Sequence, residues 1–191
     1  MQLDNDEKLI IHLDDIDVRT KMHHYIVYLL KKQTDWDKRP LIMLCIGSDR
    51  YIGDALGPLV GTYLEENTCS IIYGSLDKPV HAGNLVQVIE MIHQQHCQPI
   101  IIAVDACLGK SNEVGNMEIW QGSLEAGIAV GACLPCVGHI SIIGVVSESG
   151  RIGYLDLQST PLSIVMKISK YIGGALRDAI HSTRTDYAME L

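Results

Sequence analysis

The sequence predicts an α/β fold, a three-layer α/β/α sandwich on a mostly parallel sheet, and three observations carry that expectation. Short apolar runs alternate with amphipathic segments over about 140 residues after Pro40, the rhythm of repeated strand–helix units. Two runs, 41–47 (LIMLCIG) and 99–105 (PIIIAVD), are continuously apolar, as strands buried on both faces read. Hydrophobic residues make up 47% of the 191 and charged residues 20%, enough apolar surface for one full core. The chain is therefore expected to form a single domain over 1–191, with a helix at about 17–32 packed on a core that begins at about 41.

The elements follow in order. Val18, Met22, Ile26, Leu29 and Leu30 recur at helical spacing, and QTDWDKRP (33–40) is the one linker-like stretch. After the strand at 41–47, residues 54–66 carry Leu56, Leu59, Val60 and Leu64 on one helical face. CSIIYGS (69–75) reads as a strand, and 85–96 as a helix with Leu85, Val88, Ile89 and Ile92 aligned. The run 99–105 is the clearest strand; GNMEIWQG and HISIIGVVS supply two more. Ser159-Thr160-Pro161 opens a long covering helix to about residue 180, which the apolar positions Leu162, Val165, Met166, Ile168, Ile172 and Leu176 suit.

Charge and composition narrow the function. A net charge of -8 with no basic run interleaved with aromatics argues against nucleic acid or an anionic membrane as partner. The acidic start lacks the order of a signal peptide, and no apolar run reaches the roughly 20 residues of a membrane span. A cytoplasmic protein acting on a protein or peptide partner is expected, and a homo-oligomer is compatible with this. Of the six cysteines, Cys45, Cys69, Cys97 and Cys107 sit in or beside apolar stretches, as buried free thiols do. Cys133 and Cys136 form a CxxC that lacks the second pair of a structural zinc site. It also precedes a strand, where a redox CxxC opens a helix.

In open α/β sheets, ligands bind beyond the carboxyl ends of the strands, which selects the loops to weigh. The first runs from Gly47, Ser48 and Asp49 to Asp54, between a buried strand and a helix. Asp54 reads either as a helix cap or as a functional carboxylate. A phosphate-binding loop fits poorly, since the spacing matches neither glycine fingerprint and two aspartates would repel the anion. Asp105 closes the run IIIAVD and is expected at the mouth of the sheet, where it serves the loop or the chemistry. Ending neighbouring strand–helix units, Asp54 and Asp105 can converge on one cleft and act as an acid/base pair or bind a cation. The loop with His81 and Asn84 offers polar contacts for one wall, or is an ordinary connection. His139 would add nitrogen to the two carboxylates and complete an open divalent-metal site; packed beside its strand, it would be structural.

GDALGP (53–58), KPVHAGNL (78–85), IAVDA (102–106) and GHISIIGVV (138–146) occur in an order and spacing that resembles the YyaC family of spore proteins (DUF1256). That family is related to the germination protease, which degrades small acid-soluble spore proteins, and more distantly to the hydrogenase maturation endopeptidases. The resemblance covers 41 to the C-terminal helix and implies a phosphorylase/hydrolase-like fold in a sporulating bacterium. The active aspartates of germination protease, one in DALGP and one in a DA motif, match Asp54 and Asp105. In the maturation endopeptidases an acidic residue after the glycine loop, a DA aspartate and a later histidine bind nickel, which implies Asp54, Asp105 and His139 as ligands for nickel or zinc. Two departures stand out: Ser48 replaces the usual Asn, and Gly53-Asp54 the usual acidic pair.

Overall fold

The computed structural model describes residues 8–126, 134–150 and 152–184. A six-stranded sheet forms the middle layer. In chain order its strands are β1 (Leu9–His12), β2 (Leu41–Cys45), β3 (Ile71–Tyr73), β4 (Ile100–Gly109), β5 (Asn116–Gln121) and β8 (Ile140–Glu148). They lie side by side as β1-β5-β8-β4-β2-β3. Neighbours from β3 to β8 pair in parallel, whereas β5 runs antiparallel to β8 and to β1. Two short strands, β6 (Leu124–Glu125) and β7 (Cys136–Val137), form a separate antiparallel ribbon.

Burial explains the layers. All five residues of β2 are buried, and alternate ones serve opposite faces. Met43 and Cys45 join the cluster built with α1 (Val18–Lys31), α2 (Leu56–Asn67) and α5 (Leu162–Arg184). Ile42 and Leu44 join the one built with α3 (Leu85–Gln95). Helices on both faces make the three-layer α/β/α arrangement, as the sequence predicts. A short helix, α4 (Gly153–Gln158), precedes α5 and buries Leu157.

Several boundaries differ from the sequence reading. The helix expected from Asp54 begins instead with a 3₁₀ turn, Gly53–Ala55, and becomes α-helical at Leu56. The long strand does not stop at Asp105 but runs to Gly109, paired throughout with β8. β1, the β6–β7 ribbon and α4 are additional elements. Among the described residues, no helix is long and apolar enough to cross a membrane.

Chain order also fixes where a cleft opens. From β2 the chain goes outward to β3 and then returns across β2 to β4. The connections leaving β2 and β4 thus diverge, which makes their carboxyl ends the switch point of this sheet.

Candidate active site

The site grows from the end of β2. Ile46 makes one further parallel bridge to Val80, and Gly47 then turns at φ 137° with its N–H donating to Val80 O at 2.7 Å. A side chain at Gly47 would overlap the Asp54 carbonyl, so only glycine lets the loop fold back on the turn that carries Asp54. Asp54 does not cap α2, whose cap position is Ala55 with no side-chain bond. Its carboxylate turns back and accepts the Ser48 N–H through Oδ2 at 2.7 Å. Ser48 is itself buried.

Asp105 comes from the neighbouring strand. β2 pairs with β4 only as far as Val104, so Asp105 is the first residue of β4 beyond that pairing. It is 7% exposed, deeper than a residue at the sheet mouth would be. Alternation puts it on the face of Ile101 and Ala103, the α3 side of the sheet. Its Oδ1 accepts the N–H of Ala106 at 2.8 Å.

Both aspartates line one cavity of about 530 Å³. The opposite walls come from Trp120, Leu124 and Glu125, from Ile143 on β8, and from Ser149, Gly150 and Gly153 before and at the start of α4. The charged residues among this lining, Asp54, Asp105 and Glu125, are all acidic. Burial pushes the Asp54 carboxyl above its ordinary value, against the pull of the Ser48 hydrogen bonds and the nearby His81. Asp54 therefore keeps a proton to higher pH than a solvated aspartate. The Cys107 thiol also lines the cavity; burial, with Glu118 and Asp105 nearby, pushes it up to about 12, so it stays protonated at neutral pH and is a poor nucleophile.

The remaining expected residues fall elsewhere. Asp49 is exposed, and neither Gly47, Ser48, Asp49, His81 nor Asn84 belongs to the described lining of this cavity. Asn84 serves its own loop: its Oδ1 accepts the His81 N–H at 2.8 Å and its Nδ2 donates to Pro79 O at 3.0 Å. His81 Nδ1 accepts the Gly83 N–H at 3.1 Å. Of the expected residues of this loop, His81 bears on the site electrostatically, by favouring the ionised form of Asp54.

His139 requires a correction. It precedes β8 and therefore sits at the amino end of the parallel strands, level with Ile101. Its N–H donates to Ile101 O at 2.8 Å, and its Nδ1 accepts the Ile101 N–H at 3.1 Å. Asp105 lies four residues further along β4, about 13 Å away at about 3.3 Å per residue. Burial first, then Arg39 and His93, lowers the His139 pKa, and Arg39 faces its Nε2 at 3.4 Å. The donor set Asp54, Asp105 and His139 is thus not assembled. Among the described residues no group of three His, Cys, Asp or Glu side chains could hold a metal ion. The nickel or zinc site that the resemblance implied does not fit these residues.

Cys133 of the CxxC lies outside the described residues, and Cys136 is an exposed free thiol on β7. Sequence reasoning missed Trp120, Glu125, Ser149 and Gly150, which come from strand ends and turns far from Asp54 in the chain. The glycine pair Gly150 and Gly153 was the one local signal for a turn against the cleft.

Comparison with known proteins agrees with this architecture. The hydrogenase maturation protease HycI of Thermococcus kodakarensis KOD1 superposes with a TM-score of 0.50 over 82% of this chain and 98% of its own, at 14% identity. That likeness concerns the fold. The uncharacterized protein YyaC of Bacillus subtilis (strain 168) is 44% identical over 140 residues, 72% of this chain and 68% of the relative. Residues 10–175 match the family model described as protein of unknown function (DUF1256). With most of its length accounted for in this way, the chain belongs to the DUF1256 family.

Proposed function

We propose that this chain is a peptidase-like protein of a spore-forming bacterium, with Asp54 and Asp105 as an acid/base pair acting on a protein substrate. The observation that carries the reading is their position: two carboxylates, one on the turn after β2 and one on the neighbouring β4, line one cavity at the switch point of the sheet. Asp54, whose proton is held by burial, is the acid that protonates the leaving amine. Asp105 is the base that takes a proton from the attacking water. No step runs through a metal. The resemblance of DALGP and DA to germination protease supports a substrate among small acid-soluble spore proteins, in the cytoplasm of the spore or its mother cell.

A second reading has its own support. Each carboxylate already accepts a backbone N–H, Asp54 from Ser48 and Asp105 from Ala106, which suits a cleft that binds a peptide without cutting it. One experiment separates the two. Purified protein is incubated with small acid-soluble spore proteins and with a spore lysate, and new amino termini are identified by mass spectrometry. The peptidase reading predicts termini made by wild type and absent with the Asp54→Asn, Asp105→Asn double variant. Identical termini from both folded proteins leave only the binding reading.

A further inference from the structure

Beyond Val104, β4 loses its neighbour on one side. Ile46 N donates to Val104 O at 2.7 Å, the last rung joining the end of β2 to β4. β4 itself continues for five more residues, Asp105–Gly109, which among the described strands pair with β8 alone. Among the described strands none pairs with that edge, which is partly buried, with the turn Gly53–Ala55 and α4 lying close to β4. The stretch is about 16 Å long at about 3.3 Å per residue. Backbone groups alternate along a strand, so the N–H and C=O of Ala106 point the way Val104 O does, toward the absent neighbour. Asp105, Ala106, Cys107 and Leu108 all line the acidic cavity.

The Ala106 N–H is satisfied by a local substitute. It donates to the side chain of Asp105, the next residue back, rather than to a strand. A carboxylate oxygen thus stands where the carbonyl of a neighbouring chain would stand.

We propose that this edge of β4 is the docking strand for an extended, basic segment of another protein. The proposal deepens the peptide-directed reading of the site and rests on it. The incoming chain would add to the sheet beside Ala106–Leu108, its N–H donating to Ala106 O and its C=O taking over the Ala106 N–H. That exchange releases the hydrogen bond from Ala106 N–H to the Asp105 side chain, which lines the cavity beside the bound chain. Charge selects the occupant. Every charged side chain in the described lining is acidic, and alternate residues of an added strand would face Asp105 and Glu125. The intervening residues would meet an apolar rim, since Ile152, Tyr154 and Leu155 are 46%, 47% and 45% exposed next to Gly150 and Gly153. An alternating apolar–basic strand matches both sides.

The test uses a fluorescent peptide of alternating valine and lysine, titrated by anisotropy into wild type. Three results are expected. The peptide binds; methylating every second backbone nitrogen on one edge weakens it at least tenfold, with no change in side chains; and replacing lysine by glutamate weakens it at least tenfold. Amides at 106–109 should also exchange more slowly with solvent in the complex. Equal affinity for the methylated peptides, no binding at millimolar peptide, or a dimer of this chain occupying the edge by sedimentation and exchange would each overturn the proposal. Binding with the expected signature supports it whether or not wild type cuts the peptide, and absent cutting then counts against the peptidase reading alone.

Discussion

At the scale of single residues, the energetics of Asp54 are those of a carboxyl whose burial costs stability when it ionises. A raised carboxyl pKa in the folded state means that folding favours the protonated form. The associated stability is fully present below the ordinary value of 3.8 and is lost as pH rises through the raised folded value. Above that raised value the folded protein bears the cost of a half-buried charge. Asp54→Asn keeps an oxygen for the Ser48 N–H and removes that charge. Thermal melts should show the variant's midpoint gaining on that of wild type as pH rises from about 3 toward 8; a difference that does not change with pH would contradict this account of Asp54. The sequence exposed both aspartates because each interrupts or follows an apolar run beside a turn. It misplaced His139 for a simple reason. A residue just before an apolar run lies at the amino end of its strand, and in a parallel sheet that is the far end from the cleft.

At the scale of elements, the placement of Asp54 depends on how closely α2 lies against the end of β2. Gly57 and Gly61, one turn apart, face the sheet. A side chain at Gly57 would overlap the carbonyl of Ile46, and one at Gly61 the carbonyl of Gly74. The helix thus rests on strand-end backbone, and the turn Gly53–Ala55 that leads into it is fixed over the cavity. Gly61→Ala would gain helix propensity worth about 1 kcal/mol and lose more to the enforced separation. Chemical denaturation should give a net loss of roughly 1–3 kcal/mol, an estimate for overpacking at a tight contact. An unchanged midpoint would show that the helix is free to shift. Apolar periodicity located α1, α3 and α5 to within a few residues because each buries one continuous stripe. The same periodicity was silent on β4 beyond Asp105, where a carboxylate in the run reads as a strand end. What prolongs β4 is its pairing with β8, with an irregularity between Cys107 and Leu108, and such long-range pairing leaves no local trace. The ribbon β6–β7 and α4 are too short to show a period at all.

At the scale of the whole molecule, the order of strands does the work that no motif could announce. Alternating strands and helices predict a parallel sheet, and the sheet predicts a cleft at the carboxyl ends. Which two strands diverge is decided by the return of the chain across β2, and this brings residue 54 and residue 105 to one cavity while leaving His139 at the opposite end of the sheet. The wall from Trp120 to Glu125 and the wall made by Ser149, Gly150 and Gly153 arrive from later parts of the chain and close the cavity that Asp54 and Asp105 line. Location at one end of the sheet is the central claim, and single substitutions at the two ends test it most directly. Cleavage rates on a common protein substrate would be compared for wild type, Asp54→Asn, Asp105→Asn and His139→Gln, each confirmed folded at the assay temperature. The account predicts losses on the order of 100-fold or more for each aspartate variant, in line with removal of a general acid or base, and a rate near wild type for His139→Gln. Loss of cleavage with His139→Gln, with either aspartate dispensable, would contradict it.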